Sequence, residues 1–197
     1  MRHATDNPPA LSISAGLRAR LRAALAEDVR AGDVTSRATL PASLRGGAVL
    51  RAKADGVICG LTVARAVFHL ADPRLRVHLR RRDGDRVSKG DELLSVTGAM
   101  RSILKAERVA LNFVQRLSGV ATLTARYAAA VAGTGAGIYD TRKTTPLWRD
   151  LERHAVRCGG GRNHRFCLDD MILIKDNHAD AAGSTGQAVA QARHWRA

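Results

Sequence analysis

Near the end of the chain, Arg157 to His178 read RCGGGRNHRFCLDDMILIKDNH and set three glycines, four cations, two histidines and three aspartates around one short apolar run. Upstream, GIYDTRKTTP carries a second group of cations, Arg142 and Lys143, just before Pro146. MILIKD, with Lys175 at its end, reads as a short strand buried on both faces of a parallel sheet. GIYDTRKTTP reads as another strand, so Arg142, Lys143 and Lys175 lie at strand ends, where β/α barrels keep their chemistry. Several cations projected into one mouth repel one another, and only an anionic ligand offsets that repulsion.

The elements that must position these groups form two halves. Ser14 is placed to cap a helix over residues 14 to 29, in which Leu17, Leu21, Leu25 and Val29 share one face. EDVRAGDVTSRATLP reads as a loop. Strand-like segments follow at 47 to 54, 57 to 61, 74 to 80 and 92 to 98, with the helical TVARAVFHLA between the second and third and the turn DGDRVSKGD before the fourth. This is an α+β layer assembled from local pieces.

From Met100 a long helical stretch begins, with a break or kink expected near Ser118 and Gly119. Arg108, Asn112, Gln115 and Gly119 fall on one face of it and make a narrow polar stripe. Such a stripe is either the solvent side of an amphipathic helix or a line that meets something able to satisfy it. The chain then reads as β/α units, with LWRDLERHAVRC helical. His164 and Arg165 fit this order poorly, because a helix after the first strand carries the chain away from the mouth. The glycines 159 to 161 suggest a flexible excursion back over it, or an ordinary helix end.

Composition narrows the function classes. The 197 residues are 45% apolar and 25% charged, the balance of a globular protein. No apolar run approaches the ~20 residues that span a bilayer, and MRHATDNPPA has no secretory signal pattern, so a cytoplasmic protein without membrane contact is expected. The net charge of +14 admits a polyanion binder, but aromatic residues are only 4%, the charge is spread through helices, and no nucleic-acid-binding motif is present. No nucleic-acid partner is therefore expected. The cysteines 59, 158 and 167 are odd in number and form no disulfide framework. His154, Cys158, His164, Cys167 and His178 match no standard zinc spacing and have arginine neighbours, so no metal ligand is assigned among them. Cys158 reads as a passive thiol with no base arranged beside it.

Four segments in order, EDVRAGDVTS, ERVALNFVQRLSGVAT, DTRKTTP and AVRCGGGRNHRFCLDDMILIKDNH, resemble the quinolinate phosphoribosyltransferase family over nearly the whole chain from about Leu17 onward. The resemblance implies an α/β protein: an N-terminal α/β sandwich-like domain followed by a TIM-like α/β barrel. The expected divisions are a disordered tail at 1–13, the sandwich domain at 14–117 and the first part of the barrel at 118–197. It also implies transfer of a phosphoribosyl group from phosphoribosyl pyrophosphate to quinolinate, with magnesium and with loss of pyrophosphate and carbon dioxide, giving nicotinate mononucleotide for NAD biosynthesis.

Carried over by position, Arg142, Lys143, His164, Arg165 and Lys175 match the family's quinolinate pocket, with Lys143 and Lys175 the catalytic pair. Arg108 matches an arginine that reaches the neighbouring subunit's site, so a homodimer or larger assembly is implied. The departure is at the end. Residues 119–197 hold about two β/α units and the start of a third, and the acidic residues expected for magnesium and the phosphate-binding loops are not among them. The barrel is thus expected to be incomplete in this chain. A noncatalytic remnant that binds anions or dimerises, or a related transferase with another acceptor, is the alternative reading.

Overall fold

The computed structural model describes residues 10–195, and most of the expected tail at 1–13 lies outside them. The described residues form two compact units: 10–140 with 144–163, and 141–143 with 164–195.

In the first unit, helix α1 (Ala15–Val29) begins where expected, with the Ser14 side chain accepting from the Leu17 N–H. Leu17, Leu21 and Leu25 bury the helix's apolar line against α3 (Leu61–Ala71) and α4 (Met100–Ala130). The segment read as a loop contains a helix, α2 (Val34–Thr39), whose cap is Asp33 accepting from the Ser36 N–H at 3.0 Å. Its VTSRAT sequence has β-branched residues and no apolar stripe, so periodicity gave no sign of it.

The strand-like segments hold, with shifted bounds: the first starts earlier, the second and third are shorter, and the fourth runs one residue further. Strands β1 (Arg45–Arg51), β3 (Arg76–Leu79) and β5 (Glu92–Ala99) form an antiparallel sheet of order β1-β5-β3. Strands β2 (Gly56–Val57) and β4 (Arg86–Val87) make a second antiparallel pair, the latter inside the stretch read as a turn. Leu93, Leu94 and Val96 of β5 face a core shared with Val63, Val67 and Phe68 of α3 and with Ile103, Ala110 and Leu117 of α4.

Helix α4 runs unbroken through 31 residues, so the expected kink at Ser118 and Gly119 is absent. The Ser118 hydroxyl is engaged with the backbone of Cys59, and Thr122, one turn later, meets the backbone of Val57 in the same way. Both hydroxyls bond to a neighbouring segment instead of competing for the helix's own carbonyls. Helix α5 (Arg149–Cys158) packs on α4, with Trp148 stacked on Phe113 at 4.7 Å between ring centroids. Arg20 of α1 pairs with Asp150 of α5.

The strand expected at GIYDTRKTTP is reduced to one parallel bridge, Tyr139 to Arg162. In the second unit MILIKD has no ladder partner among the described residues, and Met171, Ile172 and Leu173 are 44%, 43% and 37% exposed. The run has the composition of a doubly buried strand, but a parallel strand forms only with neighbours to accept its hydrogen bonds. Two helices that had not been singled out, α6 (Asp176–Ala182) and α7 (Thr185–Trp195), complete this unit. No helix among the described residues is long and apolar enough to cross a membrane.

Candidate active site

The bridge between Tyr139 and Arg162 answers how His164 and Arg165 relate to the first cationic segment. Asp140 N–H donates to the Arg162 carbonyl at 3.0 Å, and Arg162 N–H donates to the Ile138 carbonyl at 2.7 Å. Next to them, Asn163 Nδ2 donates to Asp140 Oδ2 at 2.6 Å and to the Arg153 carbonyl at 3.1 Å. Asp140 also pairs with Arg153 at 3.3 Å, and both side chains are largely buried. Arg142 therefore follows Asp140, and Arg165 follows Asn163, by two residues from a fixed, charge-assisted anchor.

Two of the glycines that make this return possible are tightly packed. A Cβ on Gly159 would lie 2.3 Å from the Ala121 carbonyl oxygen and 2.6 Å from Thr124 Cβ, and one on Gly161 would lie 2.6 Å from Val156 Cγ1. Gly160 has φ +85°, a left-handed conformation costly for other residues. The three residues let the end of α5 sit directly on α4 and turn the chain back beside Tyr139.

Five of the six expected site residues, Arg142, Lys143, His164, Arg165 and Lys175, belong to the second unit. Arg142 Nε is enclosed and lacks a hydrogen-bond partner, a donor that a ligand carboxylate would satisfy. Arg165 donates through Nη1 to the Met171 carbonyl at 3.1 Å, and its own N–H donates to His164 Nδ1 at 2.7 Å. Arg165 lines a cleft of about 700 Å³ with Met171, Leu173, His178 and Trp195. Lys143 is exposed beside Thr141, whose hydroxyl accepts from its N–H at 3.1 Å. Lys175 is exposed at the start of α6, its N–H donating to His178 Nδ1 at 3.0 Å.

Arg108 belongs to the first unit, and the stripe of Arg108, Asn112, Gln115 and Gly119 is exposed along α4. Gln115 and Gly119 border a groove of about 610 Å³ with Val57, Leu123 and Arg126.

A second cluster went unrecognised in the sequence. His154 Nε2 lies 3.4 Å from Cys158 Sγ and 3.2 Å from Asp83 Oδ2, and Cys59 completes the group. Cys158 thus has a basic partner after all. His154 and Cys158 stand one helical turn apart, which the HAVRC spacing could have shown; their approach to Cys59 and Asp83 is a tertiary contact with no local signal. The Cys158 thiol is pushed down by its hydrogen bond with Cys59, against burial, and by His154. The Cys59 thiol is correspondingly pushed up by Cys158 and by burial. Burial opposes protonation of His154, but Asp83 and Cys158 outweigh it and raise its pKa to about 9.

Comparison with known proteins follows the same lines. The family model for the quinolinate phosphoribosyl transferase N-terminal domain matches residues 33–118, and that for the C-terminal domain matches residues 120–196. The chain belongs to the quinolinate phosphoribosyltransferase family. It is 48% identical over 174 residues to a chloroplastic, carboxylating nicotinate-nucleotide pyrophosphorylase of Arabidopsis thaliana, covering 88% of this chain and 49% of that one. It is 44% identical over 165 residues to a probable nicotinate-nucleotide pyrophosphorylase of Synechocystis, covering 84% and 56%. The crystal structure of NadC from Streptococcus pyogenes superposes with a TM-score of 0.90 at 44% identity, over 95% of this chain and 66% of that one. The fold is that of these quinolinate phosphoribosyltransferases, an N-terminal sheet domain followed by part of the barrel. The chain spans about half the length of the curated plant relative it matches.

Proposed function

We propose that this chain supplies the quinolinate-binding part of a quinolinate phosphoribosyltransferase, which joins quinolinate to phosphoribosyl pyrophosphate and yields nicotinate mononucleotide, pyrophosphate and carbon dioxide. The observation that carries this reading is the enclosed, unpartnered Nε–H of Arg142, in the DTRKTTP segment tied through Asp140 to Asn163. Quinolinate bears two adjacent carboxylates on a pyridine ring, and planar guanidinium forks match such groups in two-point contacts. In this reading Arg142 and Arg165 hold the carboxylates, with His164 beside them.

The chemistry asks little covalent work of the protein. The pyridine nitrogen attacks the anomeric carbon as the bond to pyrophosphate breaks, through a ribosyl centre with oxocarbenium character. Positioning and charge stabilisation lower the barrier. Loss of the 2-carboxylate as carbon dioxide leaves an electron pair beside the cationic ring nitrogen, Lys143 and Lys175 steady that charge, and a proton from solvent closes the ring C–H bond of nicotinate mononucleotide. No residue of this chain is assigned as an obligatory proton donor.

Magnesium is expected to arrive with phosphoribosyl pyrophosphate. The gathered donor set found among the described residues, Cys59, His154 and Cys158, offers sulfur and imidazole, whereas magnesium takes oxygen ligands in octahedral array, so no step is assigned to that ion here. The exposed polar stripe on α4 supports a homodimer in which Arg108 serves the neighbouring site. A cytoplasmic location remains the expected one for this chain. Calorimetric titration with quinolinate and with nicotinate tests the reading, since nicotinate lacks the second carboxylate.

A further inference from the structure

We propose that Cys59, His154 and Cys158, with Asp83 as the fourth donor, form a structural zinc site inside the first unit. Donor atoms of Cys59, His154 and Cys158 lie within 4.8 Å of one another; Asp83 lies outside that group, with its Oδ2 3.2 Å from His154 Nε2, and would have to be drawn in by the ion. A tetrahedral zinc ion, with bonds of about 2.0 to 2.3 Å, spaces its ligand atoms roughly 3.3 to 3.8 Å apart. The two edges that meet at His154 Nε2, 3.4 Å to Cys158 Sγ and 3.2 Å to Asp83 Oδ2, are close to that size, while Cys59 lies within 4.8 Å of His154 and Cys158. Two sulfurs, one imidazole and one carboxylate suit zinc and disfavour magnesium or calcium.

The donors are held from outside the cluster. Cys59 is fixed by the Ser118 hydroxyl at both its backbone groups. Asp83 Oδ1 accepts from the Leu61 N–H at 2.8 Å, which leaves Oδ2 turned to the histidine. His154 and Cys158 are set one turn apart on α5. Cys59, His154 and Cys158 are 0%, 1% and 7% exposed, so the site is closed and has no room for a substrate. Without an ion, Asp83 and Cys158 both face His154 Nε2, and a single N–H serves two acceptors in a dry interior.

Zinc binding balances as follows. Cys59 and Cys158 bind as thiolates and His154 as a neutral imidazole with its proton on Nδ1, every proton carried by the sulfurs and by Nε2 passes to solvent, and Nε2, both sulfurs and Asp83 Oδ2 donate electron pairs to the ion. His154 Nδ1 has no hydrogen-bond partner, so the imidazole lacks a second acceptor to orient it. Affinity is therefore expected to be about 10- to 100-fold below that of a site with such support.

The test uses the whole chain, produced in zinc-supplemented medium and purified with reductant but without chelator. Elemental analysis should find about one zinc per chain, and cobalt in its place should show thiolate charge-transfer absorption and the intense ligand-field bands of a tetrahedral site. Cys59→Ala and Cys158→Ala should each lose the cobalt spectrum, while Cys167→Ala, at a residue outside the cluster, should keep it. Absence of zinc from the reduced wild-type chain would overturn the proposal, and that measurement does not depend on any variant folding. So would undiminished zinc in the Cys59→Ala/Cys158→Ala double variant, or a mass two hydrogens lower with a Cys59–Cys158 disulfide in the metal's place.

Discussion

Ser118 Oγ accepts from the N–H of Cys59 at 3.0 Å and donates to the carbonyl of the same residue at 3.1 Å. One side chain thereby satisfies both backbone groups of a residue that has no strand partner, and it fixes the segment after β2 against α4. In Ser118→Ala these two groups are left buried without partners. Such a loss costs about 1 to 3 kcal/mol for each unsatisfied group, so urea unfolding should show a clear drop in midpoint with an unchanged slope. A midpoint equal to wild type would mean that water replaces the hydroxyl.

The glycine turn makes a second prediction. Gly159→Ala places a methyl 2.3 Å from a backbone oxygen of α4, which has no flexible end to give way. Overpacking of this kind costs about 1 to 3 kcal/mol, and the displaced turn should also disturb the Tyr139–Arg162 bridge. Thermal unfolding of the variant measures the first effect. Quinolinate titration measures the second, since both cationic segments leave from this bridge.

Stability at low pH should depend on Asp72. Hydrogen bonds from the Arg74 side chain and backbone, with a further one from the Ser102 hydroxyl, hold its carboxyl below the usual carboxylate range, against the effect of burial. A depressed pKa contributes stability that is present above the unfolded value, about 3.9, and is lost as pH falls through the folded value. The acid limb of the stability curve below about pH 4 should therefore be shallower in Asp72→Asn than in wild type. Parallel limbs in the two proteins, followed by circular dichroism, would contradict this.

Arg108 should act across a subunit boundary. Its place on the exposed stripe of α4 leads us to expect that Arg108→Ala weakens quinolinate binding only at protein concentrations where the chain self-associates. Sedimentation and calorimetry over the same concentration series check this. An equal loss in the monomer range would assign Arg108 to its own subunit's pocket.

Much of the first unit was legible because its signals are local. Ser14 caps α1 as read, and the Leu17, Leu21 and Leu25 line is its buried face. The alternation in GAVLR and ELLSVTG became β1 and β5 with bounds shifted by a few residues. What failed were features decided by tertiary partners. Ser118 and Gly119 resemble a helix break until a backbone is present to occupy the hydroxyl. MILIKD has the composition of a buried strand, yet composition supplies no neighbouring ladder. The glycines 159 to 161 read as a flexible excursion or an ordinary helix end, and Gly159 and Gly161 are close-packed in the fold. At the candidate site, residue types and their order could be read, while the Asp140–Asn163 anchor and the approach of Cys59 to His154 depend on distant segments meeting.

The most direct test of the quinolinate reading is calorimetric titration of the chain with quinolinate and nicotinate, repeated on Arg142→Ala and Arg165→Ala. Wild type should prefer quinolinate, and each variant should lose about 1.5 to 3 kcal/mol of quinolinate binding, the size of a charge-assisted hydrogen bond, with nicotinate affected less. Equal affinity for the two ligands, or unchanged quinolinate affinity in both variants, would remove these arginines from the pocket and contradict the account.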